Sequence, residues 1–300
     1  MKWIGIFILK GGHSMPYINS INFPDRESEF DFFINIKRKV YDSFYPFQVL
    51  SHKDFTRIDF APITILYGGN GSGKTTALNI IAEKLKLERE SKYNRSNFFE
   101  DYLDFCSIDT AYSVPSHSRI ITSDDVFDYI LNIRTLNEGI DESREDMFEE
   151  YLSLKHSKFQ LSSLDDYEHL RKVVDARRKT QSKFVRSELQ DNVREYSNGE
   201  NAFKYFTNKI EENGLYLLDE PENSLSPERQ LELKQFIEDS ARFFGCQFVI
   251  ATHSPFMLAM KEAKIYDMDA ENNAVKKWTE LGNVRTYFDF FQKHREEFLK

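Results

Sequence analysis

One stretch of the sequence has the residue types and spacing of a phosphate-binding loop. Residues 68–75 read Gly-Gly-Asn-Gly-Ser-Gly-Lys-Thr, which fits the pattern G-x-x-x-x-G-K-[ST] at each required position. The glycines allow successive backbone N–H groups to converge on phosphate oxygens. Lys74 is expected to reach the β- and γ-phosphates, and the Thr75 hydroxyl is expected to bind Mg²⁺. A glycine-rich turn needs neither side chain at these positions, so we predict a nucleotide site.

The residues around this loop predict a strand before it and a helix after it. Ile63–Tyr67 is a short apolar run with β-branched residues, and apolar residues recur at helical spacing between positions 77 and 85. A helix that begins at the loop directs the positive potential of its N-terminus toward the phosphates. The predicted nucleotide-binding residues here are Gly68, Gly69, Asn70, Gly71, Ser72, Gly73, Lys74, Thr75 and Thr76.

Three polar side chains follow two further apolar runs. Residues 215–218 lead straight into Asp219 and Glu220, and residues 246–251 lead to His253. The carboxyl ends of parallel strands are where open α/β sheets bind ligands, so we expect these side chains near the phosphates. A phosphate loop needs a carboxylate for its metal ion, which favours a role in metal binding for the acidic pair.

Another segment has a less specific pattern. Ser197 and Glu200 have the spacing of a capping box, Gly199 lies between them, and apolar residues follow at helical spacing. Taken alone, this segment indicates only the start of an amphipathic helix.

Composition limits the classes of protein. The chain has 300 residues, 40% of them hydrophobic, which is enough for a packed interior. Its net charge of −9 argues against wholesale binding to nucleic acid or anionic lipid, although a local basic surface could bind either. Cys106 and Cys246 show no metal-like spacing and no disulfide framework, which suits a reducing cytoplasm.

The beginning of the chain predicts neither a targeting segment nor membrane insertion. The apolar run at residues 3–9 is too short to span a bilayer and lacks a small-residue cleavage site. Lys10-Gly11-Gly12 can be encoded by a purine-rich ribosome-binding sequence, which favours Met15 as the natural start. We therefore predict a cytoplasmic protein.

The pattern of elements predicts an α/β fold with an insertion. Strand and helix patterns alternate in a way that indicates a mostly parallel sheet with helices on both faces, and residues 17–60 indicate a small antiparallel layer. Residues 123–195 are helical in pattern, polar and free of proline. We predict a core formed by residues 1–122 and 196–300, with residues 123–195 as an inserted helical lobe.

Charge is segregated within the predicted lobe. Residues 138–150 hold seven acidic residues and one Arg, whereas residues 171–186 hold seven Lys or Arg and one Asp. Either these blocks lie on helices that face each other or the solvent, or the basic block contacts the phosphates of a nucleic acid or an acidic partner. The sequence leaves both interpretations open.

The four motifs, in this order along nearly the whole chain, resemble those of the ATP-binding-cassette (ABC) ATPases. The resemblance implies a P-loop NTPase fold in which two chains enclose two ATP molecules. Ser197 and Gly199 would then contact the γ-phosphate bound to the opposite chain, with Asn198 in place of the first glycine of the family's signature. Independently of this resemblance, ATP hydrolysis requires that the phosphate charge is neutralised, that the attacking water is oriented and that the site is closed.

The resemblance also implies a role for each polar residue at the strand ends. Asp219 would hold Mg²⁺ through water, Glu220 would polarise the attacking water, and His253 would sense the γ-phosphate. The run from position 219 to 227 is more similar to soluble recombination, repair and phage-defence ATPases of the AAA type than to transporter subunits. Glu222 is part of this difference, because transporter subunits carry small residues in this part of the run.

Two features of the family have no clear counterpart in the sequence. The loop after the predicted strand at residues 118–122 lacks the glutamine that transporters and many soluble members carry, and Ser123 or Asp124 is its candidate substitute. Tyr45 and Phe55 are candidates for stacking on adenine, although aromatic residues in strands usually belong to a core.

The expected function is therefore that of a Mg²⁺-dependent ATPase that closes as a homodimer on ATP and opens after hydrolysis. It would transmit this change to a separate effector protein or nucleic acid through residues 123–195, in phage defence or DNA repair. One alternative is the ATP-binding subunit of a membrane exporter. Another is a nucleotide-gated switch with little turnover.

Overall fold

The computed structural model describes residues 16–37, 40–41, 43–157, 167–189, 197–270 and 274–299. The proposed start at Met15 lies outside these residues. The chain divides into two compact units, which we call the core unit (Met1–Phe127 with Asn198–Lys300) and the helical unit (Asp128–Ser197). The predicted domain boundaries at 122/123 and 195/196 stay a prediction.

The core unit contains a five-stranded sheet in which each pair of neighbouring strands is parallel. Its strands are β3 (Ile63–Tyr67), β5 (Arg119–Thr122), β6 (Leu215–Asp219), β7 (Gln247–Ala251) and β8 (Lys264–Asp267), in the order β5-β6-β7-β3-β8. Every residue of β3, β6 and β7 is buried. Strands covered on both faces read as continuous apolar runs, which is why the sequence predicts them well.

A second, antiparallel sheet forms the small layer that the sequence predicts. It has the order β2-β1-β4, with β1 at Ile18–Asn22, β2 at Arg57–Asp59 and β4 at Ser107–Thr110. The mixed α/β fold class is therefore confirmed.

The helices of the core unit surround these sheets. They are α1 (Arg26–Asn35), α2 (Lys74–Leu85), α3 (Phe99–Phe105), the first turns of α4 (Ser123–His156), α7 (Asn198–Lys209), α8 (Pro227–Phe243), α9 (Pro255–Leu258), α10 (Gly282–Lys293) and α11 (Arg295–Phe298), with short 3₁₀ helices at Ser51–Lys53 and Trp278–Glu280. Ser226 and Ser254 cap α8 and α9 ahead of a proline, as predicted. Within the described part of the chain, no helix is both long and apolar enough to cross a bilayer.

One prediction for the core unit is wrong in detail. Helix α1 lies in the region predicted to hold strands and turns. Its apolar residues do not mark a single face, since Phe32 and Phe33 pack against the core whereas Phe30 and Ile34 are exposed. The predicted final hairpin is present in part: β8 pairs antiparallel with Val275 through a bridge at Tyr266, and the backbone N–H groups of Asp267 and Lys276 donate to the carbonyl oxygens of Ala274 at 2.9 Å and Ile265 at 3.0 Å. The predicted closing helix is present as α10 and α11, and Phe290 and Phe291 on it are exposed.

The helical unit consists of most of α4 together with α5 (Tyr167–Arg178) and α6 (Gln181–Glu188). A small cluster of buried residues holds these helices together: Tyr151, Leu154, Val173, Ala176, Phe184 and Val185. The two charge blocks meet at an ion pair between Lys172 and Glu150, with 2.8 Å between nitrogen and oxygen. Five other basic side chains of the second block are exposed: Arg171, Arg177, Arg178, Lys183 and Arg186.

Candidate nucleotide-binding site

The phosphate loop joins β3 to α2 with a backbone that requires glycine. Gly73 is the N-cap of α2 and has a φ of 98°, in the left-handed region. A Cβ atom at Gly73 would lie 2.9 Å from Leu50, so a larger residue would also clash. The side chain of Lys74 is buried and folds back into the loop, where its Nζ donates to the carbonyl oxygens of Gly68 at 2.7 Å and Gly69 at 3.0 Å.

A cavity of about 370 Å³ lies over the N-terminus of α2. Its lining residues are Val49, Asn70, Gly71, Ser72, Gly73, Lys74, Thr75, Thr76 and Glu220. The loop wraps this space with backbone N–H groups, and the helix N-terminus adds positive potential to it. The cavity is therefore suited to an anionic group such as a phosphate chain.

Thr75 and Asp219 meet beside this cavity. The Thr75 hydroxyl donates to Oδ1 of Asp219 at 3.1 Å. The pKa of Asp219 is raised to about 6, mainly because the side chain is buried. The hydrogen bond from Thr75 opposes this rise, and the nearby Glu220 carboxylate adds to it. Among the described residues, no three His, Cys, Asp or Glu side chains are grouped to hold a metal ion. A hydroxyl and one carboxylate fit Mg²⁺, which keeps waters and phosphate oxygens as its other ligands.

Glu220 lies between Lys74 and His253. Its Oε1 is 3.9 Å from Nζ of Lys74 and 3.7 Å from Nδ1 of His253. The backbone of Glu220 has a φ of 48°, which is unusual for a residue other than glycine and is a form of strain found at functional sites. Asn223 donates to the other carboxylate oxygen at 3.0 Å. The structure thus brings together three residues that are widely separated in the sequence.

Gly199 and Glu200, in the segment that resembles the family signature, lie elsewhere in the core unit. A Cβ atom on Gly199 would be 3.7 Å from the carbonyl oxygen of Ser224 and 3.9 Å from the backbone nitrogen of Ser226. Glu200 forms an ion pair with Arg229 at 3.3 Å. Gly199 is not among the residues that line the phosphate-loop cavity. Ser197 belongs to the helical unit.

A second cavity, of about 420 Å³, lies on the other side of Thr75 and Thr76. Its lining residues are Tyr45, Thr75, Thr76, Asn79, Lys92, Tyr93, Asn94, Thr122, Ser123, Asp124 and Asp219. Both candidate substitutes for the missing glutamine are therefore beside the predicted metal ligands. Tyr45 also lies here, with its hydroxyl donating to Thr76 at 3.1 Å.

The structure excludes one candidate for adenine stacking. Phe55 is 1% exposed and packs against Phe23 and Tyr266 in the interior. A ring enclosed on its faces and edges has no surface for a base. Phe55 is a core residue.

Sequence reasoning missed two carboxylates at the site. Asp269 accepts a hydrogen bond from the backbone N–H of Gly69 at 2.7 Å and thereby holds the start of the phosphate loop. No local pattern marks Asp269, since its partner lies 200 positions away. Glu222 differs from the residue of transporter subunits, but the sequence predicts no contact for it; in the structure it accepts a hydrogen bond from the backbone N–H of His253 at 3.0 Å.

Comparison with protein families finds two matches. The family model described as "ABC transporter" matches residues 56–223, which is more than half of the chain. A second model, described as an AAA domain and associated with a type IV toxin–antitoxin system, matches residues 204–259. Comparison with the curated proteins finds no match.

Several solved structures are remotely similar. The post-hydrolysis dimer of the ATP-binding cassette MJ0796, bound to ADP and Pi, aligns with a TM-score of 0.36 and 15% identity, covering 74% of this chain and 88% of that one. The Smc head domain of Pyrococcus furiosus aligns with a TM-score of 0.40 and 14% identity, covering 80% of this chain and 95% of that one. Stu0660 of Streptococcus thermophilus aligns with a TM-score of 0.39 and 14% identity, covering 74% of this chain and 72% of that one.

The first family match includes both the phosphate loop and the acidic pair at the end of β6. These are the same segments that meet at the cavity over α2. The chain belongs to the family of ABC-type P-loop ATPases.

Proposed function

We propose that the protein is a Mg²⁺-dependent ATPase that hydrolyses ATP between two copies of the chain and thereby switches the conformation of a partner protein or nucleic acid. The observation that carries this proposal is the meeting of Lys74, Glu220 and His253 at the carboxyl end of the parallel sheet. A cation, a carboxylate and an imidazole at one edge of a phosphate-sized cavity are the groups that phosphoryl transfer to water requires.

The loop and α2 would bind the triphosphate. Backbone N–H groups of residues 70–75 and the Lys74 ammonium would neutralise the β- and γ-phosphates. Thr75 and Asp219 would hold Mg²⁺, which would supply positive charge to neutralise the phosphates. The carbonyls of Gly68 and Gly69 already fix Lys74 in place, so little reorganisation is needed on binding.

Glu220 and His253 would act on the far side of the γ-phosphate. The Glu220 carboxylate lines the cavity and would accept a hydrogen bond from the attacking water, orienting it for in-line attack. The His253 side chain is half exposed and would donate a hydrogen bond to the γ-phosphate. Asn223 holds the second oxygen of Glu220, which limits the carboxylate to one orientation.

A second copy of the chain would complete the site. Gly199 packs against residues 224–226 rather than lining the cavity of its own chain. This placement supports a head-to-tail homodimer in which Ser197 and Gly199 of one chain contact the γ-phosphate held by its partner. Closure on ATP and opening after hydrolysis would then move the two chains, and residues 123–195 would carry that movement to the partner.

The setting we propose is cytoplasmic, in phage defence or DNA repair. The toxin–antitoxin system named in the second family description supports a defence role. The first family description favours a different candidate, the energising subunit of a membrane exporter. That candidate predicts ATP turnover that increases in the presence of a membrane protein encoded alongside, whereas a defence or repair ATPase turns over without one.

The test measures ATP hydrolysis by the wild type and its variants, together with the oligomeric state of the Glu220→Gln variant. The amide preserves phosphate binding but cannot polarise water, so we expect this variant to stay dimeric with ATP and Mg²⁺ and monomeric with ADP in size-exclusion chromatography with light scattering. Glu228→Gln, which changes an exposed glutamate of α8, is the matched control and should hydrolyse ATP like the wild type. A Glu220→Gln protein that is monomeric with ATP would contradict the proposal. Wild-type protein that closes but does not turn over would instead be a nucleotide-gated switch.

A further inference from the structure

The side chain of Glu222 is buried at the turn that follows β6. It is 6% exposed, whereas its neighbour Asn223 is exposed. Backbone hydrogen bonds from Asn223 to Glu220 at 3.2 Å and from Leu225 to Glu222 at 3.0 Å form the turn. The turn therefore presents Glu220 to the cavity and directs Glu222 into the protein.

One oxygen of this carboxylate accepts three hydrogen bonds from consecutive residues. Oε1 of Glu222 accepts from the Thr252 hydroxyl at 2.5 Å, from the His253 backbone N–H at 3.0 Å and from the Ser254 backbone N–H at 3.1 Å. These residues form the loop between β7 and α9. A buried carboxylate is costly unless such donors satisfy it, and hydrogen bonds to a charged acceptor are stronger than neutral ones.

The second oxygen lacks such partners. Oε2 of Glu222 is buried and has no hydrogen-bond partner within the described residues. The binding of Glu222 is thus concentrated on the loop that carries His253, whose Nδ1 lies 3.6 Å from Oε1.

The same turn and loop are joined at a second point. The backbone N–H of Glu220 donates to the carbonyl oxygen of Ala251 at 2.8 Å. Glu220 and His253 are therefore carried by two segments that are bonded to each other at two points. Loss of Glu222 would leave the His253 loop held to this turn by one backbone bond and would remove the acceptor of the His253 N–H, whereas the Ser254 N–H also donates to the Thr252 hydroxyl at 3.0 Å.

We infer that Glu222 is a positioning residue that fixes His253 relative to Glu220 and thereby sets the preference of the site for a nucleotide with a γ-phosphate. The inference rests on the proposed function, in which His253 contacts the γ-phosphate. Glu222 acts through His253 and touches no substrate atom.

The test measures binding rather than turnover. Isothermal titration calorimetry in the presence of Mg²⁺ gives Kd for a non-hydrolysable ATP analogue, AMP-PNP, and for ADP, and their ratio is the γ-phosphate preference. We expect Glu222→Ala to reduce this preference by about ten-fold, as expected from the loss of a hydrogen bond to a charged group. Glu222→Gln keeps an oxygen acceptor for the three donors and should retain most of the preference. Glu212→Ala, at an exposed glutamate, is the matched control.

A double-mutant cycle separates positioning from a general effect on stability. In a His253→Ala background, Glu222→Ala should cause no further loss of preference, because both substitutions remove the same contact. The inference would be overturned if Glu222→Ala reduced the γ-phosphate preference equally in the wild type and in the His253→Ala background. It would also be overturned if Glu222→Ala alone kept the full preference of the wild type. If Glu222→Ala does not fold, Thr252→Val removes one of the three donors without changing side-chain shape and is tested in the same cycle.

The outcomes also distinguish this inference from the proposed function. A wild-type protein that prefers AMP-PNP but does not hydrolyse ATP would refute the ATPase and leave the inference standing. A wild-type protein that hydrolyses ATP while binding AMP-PNP and ADP equally would refute the inference alone.

Discussion

The core unit and the helical unit use their polar residues in different ways. In the core unit, the wholly buried strands β3 and β6 lead to Lys74 at the start of α2 and to Glu220, whose charged groups lie 3.9 Å apart. In the helical unit, six residues form the buried cluster, and most of the basic side chains are exposed. Chemistry that requires fixed distances is therefore expected at the sheet edge, while the helical unit presents a charged surface.

The largest expected effect concerns the phosphate loop. Lys74→Ala removes a buried ammonium that two carbonyls hold at the cavity, so ATP affinity should fall on the order of 100-fold or more. Calorimetry with ATP and Mg²⁺ measures this loss. Lys261→Ala, at an exposed lysine of the same unit, should bind ATP like the wild type. Unchanged affinity in Lys74→Ala would refute the role assigned to Lys74.

Thiol reactivity tests how well the interior of the core unit is enclosed, because both cysteines lie in that unit. Burial raises the pKa of Cys106 to about 12 and also raises that of Cys246. Because the folded-state pKa of Cys106 is raised, its contribution to the free energy of unfolding is complete below the ordinary thiol pKa and is lost as the pH rises toward about 12. At pH 8 both thiols therefore stay protonated and enclosed.

Buried, protonated thiols are expected to react slowly with a disulfide reagent. At pH 8 both native thiols should react with a disulfide reagent on the order of 1000-fold more slowly than a cysteine introduced by Ser182→Cys, at an exposed position of α6. Full denaturation should abolish the difference. Fast reaction of either native thiol in folded protein would show that the core is less enclosed than described.

A smaller effect is expected from changing the core of the helical unit. Val173 is buried and Val174, next to it on α5, is 36% exposed. Val173→Asp should destabilise this unit by about 3 kcal/mol, since it buries an unpaired charge, whereas Val174→Asp should stay within about 0.5 kcal/mol of the wild type. Hydrogen exchange of residues 128–157 and 167–189 measures both changes. Nucleotide affinity that fell with Val173→Asp would show that the phosphate loop depends on the helical unit.

Much of this contrast was predictable from the sequence. Strands β3, β6 and β7 are continuous apolar runs, and the chemistry of the phosphate loop depends on residue types at fixed spacing. Local signals also predict the caps of α8 and α9. These features require only neighbours in the chain.

What the sequence did not predict depends on contacts between distant segments. Asp269 binds Gly69 across 200 positions, and Glu222 binds the loop at position 253 across about 30. Neither carboxylate is distinguished by its neighbours from a solvated acid. Helix α1 is not marked in the sequence, because its apolar residues lie both against the core and in solvent. The burial of Phe55 depends on rings from β8 and from the segment after β1.

The most direct test of the account mixes two inactive chains. Lys74→Ala lacks the phosphate-binding lysine, and Ser197→Arg blocks the segment proposed to reach the partner's nucleotide. If the site forms between chains, each mixed dimer has one complete site, and turnover should return to on the order of a quarter of the wild-type rate, because half of randomly paired dimers are mixed. Turnover that stays at the level of the separate variants would show that Lys74 and Ser197 act within the same chain or not together, and would contradict the account.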